Sequence, residues 1–188
     1  MPAHAFVARR NWVANEGLRL DAGAYAGGAM AVRDRILTGD WAMARLDEVS
    51  DASTGARFTR SYVEDARCGV PYITASDMLP ADLKGLLLLS RKKTPQLADL
   101  QIREGWTLIS CSGTIGRTAF VRAEMDRLAG SHDIIRVIPR QERIAPGYLF
   151  AFLTSRAGQS LIHQRTYGSV VQHIEPHHIA DLPVPLFP

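Results

Sequence analysis

A glycine-rich turn near the middle of the chain constrains the fold more than any other stretch of the sequence. Residues 108–109 and 119–121 have the apolar composition of short buried strands. Between them, residues 112–117 hold two glycines, two hydroxyl side chains and one arginine. Glycine adopts backbone angles closed to other residues and lets another molecule approach the main chain. The stretch predicts a tight turn that either presents its polar side chains to a phosphate or a base edge, or serves as a turn alone.

Length and composition favour one folded domain. The chain has 188 residues, of which 46% are apolar and 22% charged, and this is typical of a globular protein with its own core. No apolar run approaches the roughly 18 residues of a membrane helix, and the first residues lack the basic start and apolar core of a signal peptide. Cys68 and Cys111 are too few for a disulfide framework and lack metal-ligand spacing. We therefore expect a cytoplasmic protein with reduced thiols and no membrane contact.

The positive charge is unevenly distributed along the chain. The net charge is only +3, but residues 84–122 hold seven Lys or Arg against two acids, and residues 136–173 hold five Arg against one acid. Two such segments on one face would form a surface suited to nucleic acid. The planar guanidinium of arginine also suits guanine edges and phosphates. A high Arg content is equally typical of a GC-rich coding sequence, so charge alone does not establish a DNA-binding function.

The apolar spacing predicts helices that pack on a sheet. A lead-in, residues 1–39, ends in a short helix at 29–37. Residues 146–153 and 157–165 form a helix pair that resembles a helix-turn-helix, but their apolar positions favour packing on a sheet. Pro146 suits the first turn of a helix. One more helical turn is expected from residue 175.

The remaining segments predict short strands and polar loops. Residues 51–55 have the composition of a turn, residues 57–60 that of an exposed strand edge, and residues 90–95 that of a basic loop. A polar turn after residue 74 could cap a helix, the run 83–89 is expected to be buried, and prolines restrict the final segment to an edge. Predicted strands or extended segments lie at residues 46–49, 70–74, 108–109, 119–121, 134–138, 170–174 and 182–186.

Two enzymatic alternatives have little support in the sequence. Ser112 or Cys111 could serve as the nucleophile of a hydrolase with a histidine as its base, but no Gly-x-Ser-x-Gly pattern surrounds Ser112. His173, His177 and His178 could bind a metal, but adjacent histidines do not share a helix face and no Cys or carboxylate set completes a site. Neither a phosphate-binding loop nor a glycine motif for S-adenosylmethionine follows a strand. We expect neither catalytic residues nor a metal in this chain.

The ordered set of motifs resembles the target recognition domain of type I restriction-modification specificity subunits. The resemblance covers residues 40–188, which we predict to be a DNA target recognition domain. The motifs that carry it are Gly-Val-Pro-Tyr-Ile-Thr-Ala-Ser-Asp-Met at 69–78, Gly-Trp-Thr-Leu-Ile-Ser-Cys-Ser-Gly-Thr-Ile-Gly at 105–116, Pro-Gly-Tyr-Leu-Phe-Ala-Phe-Leu-Thr-Ser at 146–155, Gly-Gln at 158–159, Gly-Ser-Val-Val-Gln-His-Ile at 168–174 and Ile-Ala-Asp-Leu-Pro-Val-Pro-Leu at 179–186.

The resemblance implies a fold and a set of partners. The expected fold is α/β (α+β), with a mixed, mostly antiparallel twisted sheet and a few short packing helices. The expected function is to bind one half of a split double-stranded DNA sequence and to direct an adenine methyltransferase subunit to it. A restriction and translocase subunit is a further partner in type I systems. S-adenosylmethionine is expected on the methyltransferase and no cofactor in this chain.

Complete specificity subunits resemble two such domains held apart by long helices, whereas this sequence contains one. It is compatible with a half subunit that pairs with a second copy or another chain, with a piece of a longer protein, and with a domain of a fused methyltransferase. A module that docks on a methyltransferase without touching DNA is a competing interpretation.

Candidate DNA-binding residues follow from side-chain type and loop position. Cations are expected on phosphates, hydroxyls on a phosphate or a base edge, and Arg, Gln and His side chains on bases. The phosphate candidates are Arg91, Lys92, Lys93 and Arg117, the hydroxyl candidates are Thr74, Ser76, Ser112, Thr114 and Ser169, and the base-reading candidates are Arg57, Arg60, Gln172 and His173.

Overall fold

A computed structural model of the chain describes residues 7–15, 25, 28–80, 82–166 and 173–186. Short strands alternate with short helices throughout this part of the chain. The helices are α1 (Arg10–Asn15), α2 (Ala29–Leu37), α3 (Leu46–Val49), α4 (Leu97–Leu100), α5 (Pro146–Thr154), α6 (Arg156–Gln164) and α7 (Pro176–Ile179). The strands are β1 (Ala42–Arg45), β2 (Ser50–Thr54), β3 (Tyr62–Val63), β4 (Gly69–Ile73), β5 (Leu88–Ser90), β6 (Thr107–Ser110), β7 (Thr118–Phe120), β8 (Ala129–Gly130), β9 (Ile134–Pro139) and β10 (Pro183–Leu186).

The central sheet is antiparallel, with strand order β2-β9-β6-β7. Both of its faces are covered, so all four residues of β6 are buried. Side chains alternate between the two faces of a strand. Ile109 and Ile135 therefore pack with the helices α5 and α6, while Leu108 and Ile134 pack on the opposite side with Ile73 of β4. The core thus forms two layers, one on each side of the central sheet.

Two smaller sheets complete the fold. The second sheet has the order β3-β5-β4-β8, and its β4–β8 pair is parallel. The third sheet pairs β1 with the proline-containing β10, as expected for a segment that cannot occupy a central position. Helix α2 reaches the same core, because Ile36 belongs to the layer that contains α5 and α6. The prediction of a mixed, mostly antiparallel α+β fold with a few short helices is confirmed.

A buried arginine joins the central sheet to the second sheet. Arg136, in the middle of β9, is only 4% exposed. Its guanidinium donates hydrogen bonds to the main-chain oxygens of Asp99, Leu100 and Gly130, at 2.6, 3.1 and 3.2 Å. Burial lowers the pKa of Arg136, and nearby Asp99 partly offsets that effect. Arginine remains protonated in proteins, so the three carbonyls compensate for the water that the cation loses.

A glycine and a glutamine explain the motif at residues 158–159. A Cβ atom on Gly158 would lie 2.2 Å from the carbonyl oxygen of Phe152, so only glycine fits where α6 begins against α5. The Gln159 side chain donates to the Leu153 carbonyl at 2.8 Å and to the Thr118 hydroxyl at 3.0 Å. Gln159 therefore links the helices α5 and α6 to β7. The predicted helices and their packing role are confirmed.

Several predictions about short segments were wrong. Residues 46–49 form the helical turn α3 and not a strand, and residues 51–55, predicted as a turn, fall largely within β2. Residues 57–60 are not in a strand, and the turn after residue 74 does not lead into a helix. The run 83–89 is only partly buried, with Leu87 57% exposed. Segments of four or five residues are too short to show a clear hydrophobic period, so tertiary contacts decide their conformation.

We expect Arg136→Ala to reduce the free energy of unfolding by about 3–5 kcal/mol, because it leaves buried carbonyls without a donor. Arg136→Lys should recover only part of this loss, since one ammonium group cannot reach three carbonyls in the same geometry. Urea unfolding followed by circular dichroism measures the change. The control is Arg140→Ala, which removes an exposed arginine paired with Asp51 just beyond the same strand. Equal unfolding midpoints for Arg136→Ala and Arg140→Ala would contradict the assignment.

Candidate functional site

Main-chain hydrogen bonds and one buried serine hold the glycine-rich turn. Ser110, at the end of β6, accepts the Arg117 N–H on its hydroxyl oxygen at 3.0 Å and donates to the Thr114 carbonyl at 2.5 Å. Gly113 and Gly116 have φ angles of 68° and 82°, a region that favours glycine. Gly116 also faces α6, where a Cβ would lie 3.1 Å from the His163 ring. The turn is therefore fixed without using the side chains that it exposes.

Five predicted DNA-binding residues from two separate segments line one cavity. The cavity, which we call the turn groove, has a volume of about 360 Å³. One wall is the segment after β4 and the other is the glycine-rich turn. Ser76, Thr114 and Arg117 are exposed at this groove. The turn groove is lined by Thr74, Ala75, Ser76, Ser112, Gly113, Thr114, Arg117 and Asp133.

A second cavity of about 310 Å³ lies beside the turn groove and contains two predicted base-reading residues. Arg57 and His173 both line this cavity, which we call the Arg57 groove. Two main-chain contacts bring residues 173–174 to this cavity. Ser112 and His173 form an antiparallel bridge, and the Ile174 N–H donates to the Cys111 carbonyl at 3.1 Å. The Arg57 groove is lined by Thr54, Gly55, Arg57, Cys111, His132, Asp133, His173, Ile174, Glu175 and Pro176.

Asp133 lines both grooves and organises the polar side chains between them. Its carboxylate accepts the Ser112 hydroxyl at 3.0 Å and the Ser131 hydroxyl at 3.2 Å. His132 Nε2 lies 3.5 Å away, and the guanidinium of Arg60 lies 3.9 Å away. The side chain of Asp133 is 35% exposed, so it remains accessible to a ligand in either groove.

Arg60 is held between a carboxylate and an aromatic ring. Its guanidinium carbon lies 5.5 Å from the ring centroid of Tyr72, within the range of a cation–π contact. Tyr72 is buried in β4 and therefore gives Arg60 a fixed support. The exposed Tyr62, in the edge strand β3, lies 6.3 Å from Tyr72, centroid to centroid. Arg60 is thus positioned before any ligand binds, although residues 57–60 form no regular element.

Other predicted residues lie elsewhere or outside the described residues. The loop after β5 exposes Arg91, Lys92 and Lys93. None of these three residues lines either groove. Ser169 and Gln172, like the rest of residues 167–172, lie outside the described residues.

Three of the five arginines in residues 136–173 are already buried or paired with a carboxylate. Arg136 is buried, Arg140 pairs with Asp51 at 2.7 Å, and Arg165 pairs with Asp181 at 2.9 Å. A count of charges along a sequence does not show which cations are already neutralised.

The geometry does not favour a hydrolase. Cys111 is buried, and burial together with the nearby Asp133 raises the pKa of its thiol to about 11. A neutral thiol is a poor nucleophile. The Ser112 hydroxyl donates its proton to Asp133 and not to a histidine, which places the acid where a catalytic triad needs its base. This contact orients the Ser112 hydroxyl at the turn groove.

The histidines near the C-terminal end of the described chain have a structural role. The Glu175 N–H donates to Nδ1 of His178 at 3.0 Å, which caps the start of α7. Burial and the neighbouring His177 lower the pKa of His178, which favours the neutral form that this bond requires. His177 Nδ1 lies 3.4 Å from the Glu175 carboxylate. Among residues 7–15, 25, 28–80, 82–166 and 173–186, no group of three or more potential ligands is arranged to hold a metal ion.

Sequence reasoning missed the two residues that organise the site. Asp133 stands next to the predicted strand at 134–138, and Tyr72 within the predicted strand at 70–74, and neither was singled out as a site residue. A signal was present for Asp133, since it directly precedes the strongest apolar strand of the sequence, β9, and a strand of fixed register places its flanking residue.

No helix in the described part of the chain is long and apolar enough to cross a bilayer.

The type I restriction modification DNA specificity domain is the family whose profile matches this sequence, over residues 38–188. No curated protein matches the sequence significantly.

Three solved structures are similar in fold. The S subunit of a type I restriction-modification system from M. genitalium is 12% identical, with a TM-score of 0.51 over 79% of this chain and 35% of that chain. A structure of complex assembly and conformational transition in the type I R-M system is 18% identical, with a TM-score of 0.55 over 79% and 34%. The HsdS subunit from Thermoanaerobacter tengcongensis is 19% identical, with a TM-score of 0.60 over 94% and 43%. This chain therefore spans less than half the length of each.

The raised pKa of Cys111 predicts selective thiol labelling. At pH 8 the thiol of Cys111 is neutral, because its pKa of about 11 lies well above the pH, whereas Cys68 is exposed. We expect one thiol of the folded protein to react rapidly with a disulfide reagent, and both to react in denaturant. In Cys68→Ser the rapid phase should disappear. Rapid labelling of folded Cys68→Ser would show that Cys111 is an accessible thiolate and would revive the nucleophile hypothesis.

Proposed function

Because this chain belongs to the family of type I restriction modification DNA specificity domains, we propose that it binds one half of a split double-stranded DNA sequence at the two grooves flanking Asp133. One observation carries the proposal. Segments far apart in the sequence, after β4, between β6 and β7 and beyond α6, bring their polar side chains to two adjacent grooves. Such a convergence provides the donors and acceptors that DNA recognition requires.

We assign the exposed cations to the phosphate backbone, and the side chains that neighbouring residues position to the bases. Arg117, on the rim of the turn groove, together with Arg91, Lys92 and Lys93, provides charge for the phosphate backbone. Arg60 and Arg57 suit the two acceptors of a guanine in the major groove. His173, which also lines the Arg57 groove, contributes a hydrogen bond. Thr74, Ser76, Ser112 and Thr114 line the turn groove, and Ser169 and Gln172 stay assigned to DNA from the sequence alone.

The same family membership supports a set of partners for the whole protein. We propose that residues 40–188 form the recognition domain, preceded by the lead-in at 1–39, and that they direct an adenine methyltransferase subunit, which binds S-adenosylmethionine. A restriction and translocase subunit joins the assembly in a type I system. Since each of the solved chains is more than twice as long as this one, we propose that the second half of the DNA target requires a second recognition domain, in the same protein, in a second copy or in another chain.

We expect Arg117→Ala to weaken binding to all duplexes by a similar factor and to lower the slope of log affinity against log salt by about 1, because it removes one phosphate contact. Fluorescence anisotropy with duplexes of several sequences at four salt concentrations measures both quantities. The control is Arg143→Ala, which removes the same charge from the loop beyond the far end of β9, roughly 20 Å from Asp133 along the strand. If the two variants have the same salt slope, Arg117 does not contact phosphate.

Loss of Arg60 should relax specificity rather than weaken binding uniformly. A bidentate arginine–guanine contact contributes about 1–3 kcal/mol of discrimination. We therefore expect Arg60→Ala to lose affinity of this size for the preferred duplex, and little for a scrambled one. Arg60→Lys should not restore discrimination, because an ammonium lacks the planar pair of donors. Selection from randomised duplexes, followed by titration, tests this, and an unchanged preference at every position in both variants would exclude Arg60 from base reading.

A further inference from the structure

We propose that the turn groove binds the exocyclic amino group of a base in the major groove, on cytosine or adenine, and not a phosphate. The inference rests on the DNA recognition proposed above and identifies which part of the DNA enters this groove. It follows from the direction of the hydrogen bonds that the groove's own side chains already make.

The proton of the Ser112 hydroxyl is already used. Ser112 Oγ lies 3.0 Å from Oδ1 of Asp133. An ionised carboxylate can only accept, and a hydroxyl has one proton to donate. The proton of Ser112 therefore points at Asp133, and the free lone pairs of Ser112 remain for a ligand. Ser112 is thus presented to the groove as an acceptor, which a phosphate oxygen cannot use.

Thr74, on the opposite wall, is oriented in the same way. Its hydroxyl lies 2.5 Å from Oδ2 of Asp77, and the same carboxylate oxygen accepts the Thr74 N–H at 2.9 Å. The second carboxylate thus takes the proton of the second hydroxyl. Both walls of the turn groove therefore offer acceptors, although serine and threonine in isolation could donate or accept.

The carboxylate of Asp133 lines the groove as well and is partly exposed. The oxygens of an ionised carboxylate can only accept, so they bind an amino group, as carboxylates do with N4 of cytosine, and not a phosphate oxygen. In the major groove, adenine and cytosine each offer an amino donor, whereas guanine and thymine offer only acceptors at the hydrogen-bonding positions. Acceptors on both walls therefore select adenine or cytosine. Arg117, on the rim, remains free for the phosphate next to that base.

The test uses the full-length chain and duplexes in which a single amino group is removed. Selection from randomised DNA first gives the sequence that the wild-type protein prefers. Each adenine in that sequence is then replaced by purine, and each cytosine by pyrimidin-2-one, both of which lack the exocyclic amino group. Each guanine is replaced by inosine, which lacks only the minor-groove amino group. Affinities are measured for wild type, Ser112→Ala, Asp133→Asn and the control Asp51→Asn.

We expect one adenine or cytosine position at which the analogue weakens wild-type binding by about 5- to 150-fold, the range of one good base contact. In Ser112→Ala and Asp133→Asn the penalty at that position, and at no other, should largely disappear, because the two changes act on the same contact. The identity of the position distinguishes adenine from cytosine. Asp51→Asn removes the same charge beside Arg140 and should leave every penalty unchanged.

If a phosphate binds in the turn groove, Asp133→Asn should change the DNA affinity in the opposite direction. Asp133→Asn would then remove a repulsive charge and strengthen binding to all sequences by a similar factor, and this result would overturn the inference. So would wild-type binding that no adenine or cytosine analogue weakens, or a variant-sensitive penalty at an inosine position. If wild type shows no salt-dependent binding to any duplex, the proposed function itself fails. If Ser112→Ala does not fold, the near-isosteric Asp133→Asn and the wild-type analogue series still decide the question.

Discussion

The buried guanidinium of Arg136 is the interaction on which the rest of the structure depends. It joins β9 to the carbonyls of α4 and β8 and so fixes the central sheet against the second sheet. The three carbonyls replace water around the cation at fixed distances, which allows little sliding between the layers. Since β9 starts directly after Asp133, the same constraint determines where the shared wall of the two grooves lies. Core packing and the geometry of the two grooves are therefore set by one strand.

The polar side chains of the two grooves constrain one another. Serine and threonine can donate or accept, but carboxylates at Asp133 and Asp77 fix them as acceptors. Arg60 is similarly restricted by Asp133 and by the face of Tyr72. Preorganisation of this kind lowers the entropy lost on binding. Under the proposed function, the residues that decide recognition thus include several that need not touch the ligand.

The sequence was sufficient for elements with a strong local pattern and insufficient where distant contacts decide. The helix pair and β9 were predictable from long apolar periodicity, and β10 from its prolines. Residues 46–49 and 51–55 were not, since a few apolar or polar residues suit a strand, a turn or a helical turn equally. The polar residues of the grooves could be identified by residue type. Their convergence and the burial of Arg136 depend on contacts between distant parts of the sequence, such as that of Arg136 with Asp99, more than 30 residues away. Local propensity contains no information about such contacts.

The anchoring of the glycine-rich turn has a consequence for how such a domain can diversify. The turn is held by the buried Ser110, by main-chain bonds and by the packing of Gly116 on α6. Thr114 and Arg117 point outward and take no part in that support through their side chains. Substitutions at these two exposed positions should therefore cost little stability, while changes at Ser110 or Gly116 would be removed by selection for folding. The fold thereby separates a stable frame from exposed positions that are free to vary in sequence.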